Sequence, residues 1–442
     1  MDRRGFLKQA AQSASALGVS AAGSARVLGA NERIHAALIG CGGRGRYVSR
    51  LMREVPGVDF IAFADAYEPH AARAREWAGS HARAFQDFRA VLDLKEVDVV
   101  VVATPDHWHA IPTVLACQAG KHVYVEKPLA HNIREGQAMV EAARRSGRIV
   151  QAGTQHRSAE HFPELARLVQ SGGLGEVRFV RVWNYVNLAP DGIGTAPDSD
   201  PPPGLDWDLY LGPAPRVPFN AKRFLGTYRY FFHYAGGYIT DFGVHRFDTV
   251  HQIMGVDTPL AVSAAGGRFT LKGAGDVPDL LQATFEYPGF LLSYEACNLN
   301  AHGLGGRTPG MRYYNATGPD DRPHGMAFYG TQGTIIADRI GFDLYPEVKK
   351  GGPPAPFERR WKNTPEPTTR HVRNFIECLR SRKQPDADVQ TAHRATVIAH
   401  LGNIALQTGR KLRWDPQTET FPADPEAGRF LRREARKPWD LI

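Results

Sequence analysis

Three glycines near position 40 have the spacing of a nucleotide-binding turn. Gly40, Gly42 and Gly45 fit the pattern G-x-G-x-x-G. Glycines at these places allow a tight turn, approach of the backbone to a pyrophosphate and close packing of a helix on a strand. Asp65 lies twenty residues after Gly45, where an acidic side chain binds a ribose 2′-hydroxyl and repels a 2′-phosphate. The pattern therefore predicts dinucleotide binding and favours NAD over NADP, although Arg44 in the turn leaves contact with a 2′-phosphate open.

Two further motifs follow predicted strands. Residues 104–109 read Thr-Pro-Asp-His-Trp-His, and Lys127 stands before Pro128 at the end of the next strand. Because doubly wound folds bind ligands at the carboxyl ends of their strands, we expect both motifs in the cofactor pocket. His107 and His109 are spaced as in some metal sites, but no third ligand lies near them in sequence, so no metal is predicted. Lys127 is interpreted as a positioned cation, the alternative being an ordinary loop lysine.

A third candidate group lies on a helix predicted from Tyr238 to Met254. Asp241, His245 and Asp248 are spaced at i, i+4 and i+7, which places them on one helix face. An imidazole whose orientation is fixed by a carboxylate is suited to act as a general base near neutral pH. The alternative is a capping aspartate and a packed histidine on a half-buried helix.

The elements that must position these residues alternate between strand and helix from Arg33. Each predicted strand is a short apolar run. Near-continuous Val and Ile strands alternating with helices indicate parallel βαβ units, and thus an α/β Rossmann domain with a doubly wound parallel sheet. The predicted strands cover residues 34–39, 58–63, 97–103, 122–126 and 149–153, and the predicted helices run from the glycine turn to about residue 55 and cover residues 68–79, 109–119 and 133–146.

The second half of the chain is predicted to be mostly β-structure. Its short runs alternate apolar and polar residues between Gly and Pro. Residues 189–215 contain many prolines and are interpreted as a long loop that forms a pocket wall or a subunit contact. Residues 371–380 and 392–408 are predicted as helices that return to the first domain. The predicted strands of this half cover residues 176–187, 260–269, 280–287, 289–297, 324–329 and 333–337.

From about Arg33 to the C-terminus, the sequence resembles the glucose–fructose oxidoreductase, inositol dehydrogenase and rhizopine-catabolism (Gfo/Idh/MocA) family. The resemblance rests on the glycine turn 40–45, residues 104–109, Glu126-Lys127-Pro128 and residues 236–248. It implies an α+β second domain with a large open, mostly antiparallel sheet, a Lys–Pro bond that is commonly cis, and activity on sugars, polyols or glycosides. Residues 151–158 and 205–207 are similar to the exported members of the family.

The motifs and the resemblance give each candidate residue a role. Lys127 would donate a hydrogen bond to the developing alkoxide, His245 would remove the hydroxyl proton, and Asp241 would orient His245 or bind a neighbouring sugar hydroxyl. The candidate cofactor-binding residues are Gly40, Gly42, Gly43, Arg44, Gly45, Asp65, Thr104, Pro105, His107, His109, Glu126 and Lys127. The candidate substrate-binding residues are Gln155, Arg157, Trp207 and Tyr238. The candidates for stacking on a sugar ring are Trp108, Trp183 and Trp207.

The first thirty residues resemble an export signal. Arg3 and Arg4 precede Gly-Phe-Leu-Lys, a mildly apolar stretch follows, and small residues occupy positions 22–25. Paired arginines before a weakly apolar segment are typical of twin-arginine signals, so we expect export to the periplasm by the twin-arginine machinery. The alternatives are an N-terminal amphipathic helix or a signal-like segment that is never cleaved. No later run approaches the ~18 apolar residues that span a bilayer, so no membrane anchor is expected in the mature form.

Composition excludes other classes of protein. The chain has 442 residues, of which 43% are apolar and 23% charged, and this is ordinary for a soluble protein of two domains. The net charge is +8, but +3 belongs to residues 1–30 and the remaining charges are mixed in sign, so nucleic acid is not an expected partner. The basic residues 432–437 are predicted to lie on a helical tail. Four cysteines without C-x-x-C spacing indicate neither a zinc ribbon nor a disulfide framework, and Cys41 and Cys117 are expected to be buried.

We therefore expect a signal segment at 1–30, a Rossmann domain at 31–155, a substrate and oligomerisation domain at 156–370, and C-terminal helices and tail at 371–442. The expected activity is hydride transfer to or from a hydroxyl-bearing carbon of a sugar, polyol or glycoside. NAD would be held tightly, because an exported enzyme has no pool of free NAD. The alternatives are redox-neutral cleavage of a glycosidic bond, through oxidation, elimination, hydration and re-reduction, and a non-catalytic protein that binds NAD and sugar. By analogy with the family, the open sheet face is expected to form a homodimer or homotetramer.

Overall fold

The computed structural model describes residues 33–304, 322–348, 352 and 366–441. The proposed signal segment lies outside these residues. The first domain is built on a sheet of six parallel strands: β1 (Ile34–Ile39), β2 (Val58–Ala64), β3 (Arg83–Phe85), β4 (Val99–Val102), β5 (His122–Val125) and β6 (Val150–Ala152). Their order, β3-β2-β1-β4-β5-β6, is that of a doubly wound fold, as predicted. The sequence analysis missed β3, whose three residues lack an apolar run.

The strands of this sheet are buried because helices cover both faces. The four valines of β4 are fully buried, as β-branched residues in a central parallel strand should be. The helices are α1 (Gly43–Arg53), α2 (Glu68–Ala78), α3 (Arg89–Leu92), α4 (Ala110–Gln118) and α5 (Ile133–Ser146). The order of strands reverses between β1 and β4, and a crevice opens there at their carboxyl ends, where ligands of doubly wound folds bind.

The second domain contains a nine-stranded sheet among the described residues. Its strands are β7 (Val177–Asn187), β8 (Ala261–Gly267), β9 (Leu280–Tyr287), β10 (Phe290–Cys297), β11 (Leu299–Asn300), β12 (His324–Gly330), β13 (Gly333–Ala337), β14 (Phe342–Pro346) and β15 (Leu412–Arg413). The order is β14-β13-β12-β7-β10-β9-β8-β15, with β11 paired to β7. The pair β7–β10 is parallel and the other pairs are antiparallel, which confirms a mostly antiparallel sheet.

The remaining helices of the described residues pack either under the second sheet or against the first domain. They are α6 (His161–Gln170), α7 (Trp207–Leu211), α8 (Val244–Met254), α9 (Thr368–Ser381), α10 (Val389–Thr408) and α11 (Pro425–Gly428). Ile398 and Leu401 of α10 join the core under the second sheet, whereas Phe375 and Leu379 of α9 pack in the core of the first domain. Helix α9 thus returns to the first domain as predicted, whereas these residues of α10 belong to the core of the second domain.

The basic tail at 432–437 is not a helix, contrary to the prediction. A short 3₁₀ turn ends at Leu431, and the chain then runs irregularly along the first domain. Arg433 donates to the His107 carbonyl oxygen at 2.6 Å and lies 2.7 Å from the Glu135 carboxylate. Arg436 donates to the Gly212 carbonyl oxygen at 3.0 Å. Both arginines therefore make contacts within the chain.

Two of the cysteines lie in the core of the first domain. Cys41 and Cys117 are buried and free, as predicted, and burial raises the pKa of the Cys117 thiol to about 12. Among the described residues, every helix is too short or too polar to cross a bilayer.

Candidate active site

One large cavity lies at the carboxyl ends of the first-domain strands. Its volume is about 620 Å³, within the range of cofactor and substrate sites. Helix α7 and a 3₁₀ turn at Leu225–Tyr230 form its wall on the second-domain side, which agrees with the predicted role of the 189–215 loop. The predicted residues that line it are Gly40, Gly42, Gly43, Arg44, Asp65, Thr104, Pro105, His109, Glu126, Lys127 and Gln155.

The glycine turn fits a dinucleotide pyrophosphate. Gly40 has φ +88°, a conformation that favours glycine, and it brings the turn against β4. A Cβ atom at Gly45 would lie 2.2 Å from the Gly40 carbonyl oxygen, so Gly45 allows α1 to pack on β1. At Gly42 and Gly43, no atom lies within 4 Å of a Cβ position, and both face the cavity. The free backbone and the N-terminus of α1 therefore offer space and N–H groups to a phosphate.

Asp65 is fixed at the end of β2 by the backbone around it. One carboxylate oxygen accepts a hydrogen bond from the Cys41 amide at 2.7 Å, and the other accepts one from the Tyr67 amide at 2.9 Å. The His70 ring nitrogen lies 3.5 Å from the same carboxylate. Each oxygen retains a lone pair, so the carboxylate can still accept hydrogen bonds from ribose hydroxyls at the cavity wall.

Arg44 and Glu126 form an ion pair across the cavity floor. The Nε–Oε1 distance is 2.7 Å. Burial alone would lower the pKa of Arg44, but the Glu126 carboxylate outweighs it and raises that pKa above its usual value. A Cβ atom at Gly153 would lie 2.7 Å from the Glu126 carboxylate, so glycine leaves room for this pair. Because Arg44 is held by Glu126, it is poorly placed to select a 2′-phosphate.

The two histidines of the 104–109 motif have different surroundings. His109 lines the cavity, and its ring nitrogens lie 2.6 Å from the Pro128 carbonyl oxygen and 2.9 Å from that of Thr104. It thereby joins the turn after β4 to the turn after β5. His107 is fully buried outside the cavity wall, with Nε2 3.0 Å from the Tyr210 carbonyl oxygen. Burial lowers the pKa of His107 to about 3. Because the ring lies outside the cavity wall, His107 has a structural role instead of the predicted contact with the cofactor.

Lys127 reaches from the first domain to the second. The Lys127–Pro128 bond is cis, as the resemblance implied. The ammonium group donates to the backbone carbonyl oxygen of Asp241 at 2.7 Å and forms an ion pair with the Asp241 carboxylate. Asp241 lies in a π-helical turn, Ile239–Gly243, immediately before α8. Such turns leave carbonyl groups outside the regular helical pattern, and here one of them binds the lysine.

The Asp241 carboxylate is occupied by cations, not by His245. Besides Lys127, it lies 3.3 Å from the Nε atom of Arg229. Burial alone would raise the pKa of Asp241, but Lys127 and Arg229 outweigh it and hold that pKa below its usual value. No hydrogen bond between Asp241 and His245 occurs among the described residues. The expectation that Asp241 orients His245 is therefore wrong, because the π-helical turn directs Asp241 to Lys127.

His245 lies behind the cavity wall. Its ring stacks on the ring of His156, with centroids 4.3 Å apart and planes at 25°. Burial, together with the positive charges of Lys127 and Arg246, holds the pKa of His245 well below its usual range. Its Nδ1 atom is buried without a hydrogen-bond partner among the described residues. The imidazole is therefore neutral and able to accept a proton.

Several predicted substrate residues lie outside the cavity wall. Arg157 is paired with the fully buried Asp248 at 2.9 Å, so it fixes α8 instead of binding substrate. Trp207 donates to the Val217 carbonyl oxygen and stacks on Tyr210. Tyr238 stacks on Phe242. Trp183 is buried in the second sheet, where stacking on a sugar is excluded, whereas Gln155 and Trp108 do line the cavity.

The turn that carries Arg229 was not predicted from the sequence. Residues 224–232 contain a lone basic residue in an aromatic-rich run, and this was the available signal. Arg229 lines the cavity, and its guanidinium lies 4.7 Å from the Tyr228 ring centroid. Leu225 begins the turn with φ +52°, which is strained for leucine, and its side chain reaches the cavity. Strain at a ligand cavity is typical of functional segments. In the described part of the chain, no cluster of three or more His, Cys, Asp or Glu side chains could hold a metal.

A doubly wound domain with this cavity, joined to an open-sheet domain, defines the class of two-domain dinucleotide-binding proteins. Comparison of the sequence identifies the family within that class. The profile of the oxidoreductase family with an NAD-binding Rossmann fold matches residues 34–154, and the profile of the C-terminal alpha/beta domain of the same family matches residues 165–267 and 339–441. Together they match well over half of the chain, so the protein belongs to the Gfo/Idh/MocA oxidoreductase family and its first domain is an NAD-binding domain.

Individual relatives agree with this assignment. Inositol 2-dehydrogenase of Salmonella typhimurium is 30% identical over 154 residues, which are 34% of this chain and 46% of the relative. The chain thus spans about half the length of that relative. The scyllo-inositol 2-dehydrogenase (NAD(+)) of Bacillus subtilis is 23% identical over 387 residues, 86% of this chain and 94% of the relative. The solved structure of a levoglucosan dehydrogenase with NADH and levoglucosan shares the fold, with TM-score 0.64 and 18% identity over 86% of this chain and 99% of that one.

Proposed function

We propose that the protein is an NAD-dependent oxidoreductase that transfers a hydride to or from a hydroxyl-bearing carbon of a sugar, polyol or glycoside. The observation that carries this proposal is the position of Lys127. Its ammonium group lies at the cavity wall and is held by both the carbonyl and the carboxylate of Asp241. A cation fixed at this place stabilises an alkoxide as it forms. When bound, NAD supplies the carbon that accepts the hydride.

Lys127, His245 and Asp241 each have one role in the proposed reaction. Lys127 donates a hydrogen bond to the oxygen whose proton leaves. His245, which is neutral and lies behind the cavity wall on the helix that follows Asp241, accepts that proton. Asp241 holds Lys127 and balances its charge. The reaction is balanced: the hydroxyl loses its proton to His245, the carbon loses a hydride to NAD, and a carbonyl group results.

The substrate is proposed to be a neutral polyhydroxylated molecule. Gln155 lines the cavity and its side-chain oxygen has no partner among the described residues, so it suits a hydroxyl donor. The cations Lys127 and Arg229 are both paired with the Asp241 carboxylate, which offsets one of their two positive charges and engages both groups within the chain. The names of relatives that act on inositols and levoglucosan point to the same class.

A panel of inositols, aldoses, anhydrosugars and nitrophenyl glycosides tests the activity. We expect NADH to form with at least one neutral polyol or sugar, and Lys127→Met to slow this formation by about 10² to 10³. Release of nitrophenol without net NADH would instead favour redox-neutral glycoside cleavage. Absence of both reactions, with NAD bound, would contradict an enzymatic role and favour a binding protein.

We further propose that the enzyme is exported folded, with NAD already bound. The support is the pair Arg3 and Arg4 in residues 1–30, which is typical of signals for the export of folded proteins. Replacing both arginines with lysine should keep the protein in the cytoplasm of a bacterial host. Denaturation of the purified exported protein should release about one nucleotide per chain if the cofactor is held tightly. Exported protein without nucleotide, active only after NAD is added, would contradict tight retention.

We propose a homodimer or homotetramer that forms through the open face of the second sheet. Phe179 of β7 lies in register with Leu291 of β10 and Tyr329 of β12, and all three side chains are exposed. An apolar row across three strands is typical of a contact surface. Phe179→Asp should convert the oligomer to a monomer in light scattering, whereas Phe269→Asp, at an exposed position outside this row, should not. A wild-type monomer would contradict the proposal.

A further inference from the structure

The segment Gln151–Ser158 contains a histidine to which the proposed function gives no task. A 3₁₀ turn at Gln155–Ser158 brings His156 against α8. The His156 and His245 rings stack with centroids 4.3 Å apart and planes at 25°. The turn is itself fixed, because the neighbouring Arg157 is paired with Asp248, one helical turn after His245. His156 is therefore held rigidly on one face of the proposed base.

Both rings of this pair are buried and neutral. Each residue is 8% exposed, and each Nδ1 atom lacks a hydrogen-bond partner among the described residues. Burial, followed by His245 and Arg246, lowers the pKa of His156 well below its usual range. Burial, followed by Lys127, Arg246 and Arg44, does the same for the pKa of His245. Because two imidazolium rings at this separation would repel strongly, the pair admits no more than one proton.

We propose that His156 is a positioning residue for His245. In the absence of a carboxylate partner, the stacked ring fixes the plane of the His245 imidazole. It also presents a neutral aromatic face to the imidazolium that forms when His245 accepts the hydroxyl proton. This arrangement replaces the aspartate that commonly orients a catalytic histidine, since Asp241 is engaged by Lys127 and Arg229. His156 gains and loses no proton in the reaction. The inference rests on the proposed function of His245.

The test compares His156→Phe, which keeps an aromatic face, with His156→Ala, which removes it. The matched control is His251→Ala, because His251 is equally buried on α8 but contacts Tyr287, away from the cavity. We expect His156→Ala to lower kcat roughly tenfold to a hundredfold, the size of effect produced by a misplaced reacting group, with little change in KM. His156→Phe should retain most of kcat. His251→Ala should lower the melting temperature without lowering kcat.

A second readout does not depend on activity. The ring ¹⁵N shifts of His245, measured by NMR on the full chain without substrate, report the tautomer and orientation of its imidazole. We expect His156→Ala to change these shifts, and His156→Phe and His251→Ala to leave them close to the wild type. Unchanged shifts in His156→Ala would overturn the inference, as would equal losses of kcat in His156→Ala and His251→Ala. A wild-type protein without dehydrogenase activity would instead contradict the proposed function, and the NMR comparison would still decide whether His156 positions His245.

Discussion

The two ends of the cavity are built in different ways. At the cofactor end, the glycine turn and Asp65 present backbone groups and one carboxylate that is held by its own backbone neighbours. At the substrate end, Lys127, Arg229 and Asp241 come from three separate elements and hold one another by charge. The first end depends on local conformation, and the second on contacts between distant parts of the chain. Changes at the two ends should therefore affect different properties.

The largest expected effect is at the substrate end. Lys127→Met should lower kcat by about 10² to 10³, as loss of one donor to a developing oxyanion does. Affinity for NAD should change little, because the glycine turn and Asp65 are untouched. The measurements are steady-state kinetics on the substrate found in the panel and fluorescence titration with NADH. Lys95→Met, an exposed lysine, is the control. Full activity in Lys127→Met would show that the lysine is only a domain contact.

At the cofactor end, substitutions at two glycines should distinguish an effect on folding stability from an effect on NAD binding. Gly45→Ala should lower the free energy of unfolding by about 1–3 kcal/mol, because its Cβ atom overlaps the Gly40 carbonyl oxygen. It should also weaken NAD binding by displacing α1. Gly42→Ala meets no protein atom, so it should keep the unfolding free energy and weaken only NAD binding. Urea unfolding measures the free energy of unfolding, and calorimetric titration measures the affinity for NAD. Equal stability losses in the two variants would contradict these roles.

The preference for NAD over NADP tests the proposed role of Asp65 in cofactor binding. Asp65→Asn removes the charge and keeps one acceptor oxygen for the two surrounding amides, those of Cys41 and Tyr67. The ratio of kcat/KM for NAD to that for NADP should fall about tenfold to a hundredfold, the range expected for one charged hydrogen bond. Asp59→Asn, on the same strand but away from the cavity, should leave the ratio unchanged. An unchanged ratio in Asp65→Asn would assign the preference to another residue.

The last expected effect concerns histidines that do not line the cavity, and it is a dependence of stability on pH. Burial lowers the pKa of His107 in the first domain and of His251 in the second to about 3. Their unfolded pKa is about 6.5. The stability that these neutral rings contribute is fully present above that value and is lost as pH falls towards 3, at about 1.4 kcal/mol per pH unit for each ring. Urea unfolding between pH 7.5 and 5 should show this slope, and His107→Gln should reduce it. A flat profile would contradict the buried neutral state.

The difference between the cofactor end and the substrate end of the cavity also explains which parts of the site could be predicted from the sequence. Gly40, Gly42 and Gly45 carry their geometry in their own spacing, and Asp65 follows at a fixed distance along one βαβ unit, so their placement in the cofactor cavity could be read directly. The six-strand sheet followed from apolar runs, except that β3 is too short and too polar to give a signal.

The substrate end could be predicted only in part. The spacing of Asp241 and His245 indicated a shared helix face, but a π-helical turn, for which the sequence gives no local signal, turns Asp241 towards Lys127. Arg229 acquires its position only when the Leu225–Tyr230 turn packs against Asp241. Trp183 looked suitable for stacking on a sugar, yet it is buried beside Gly325 and donates to the Arg322 carbonyl oxygen at 2.6 Å. Such roles depend on tertiary contacts that spacing does not encode.

A single-turnover experiment tests the central claim most directly. The protein with bound NAD is mixed with the polyol or sugar identified in the panel, deuterated at its hydroxyl-bearing carbons, and the nucleotide is recovered by denaturation and weighed by mass spectrometry. We expect the nucleotide from the wild-type protein to carry one deuterium from the substrate, and that from Lys127→Met to carry none. Substrate consumption by the wild-type protein with no deuterium on the nucleotide would contradict hydride transfer in this cavity.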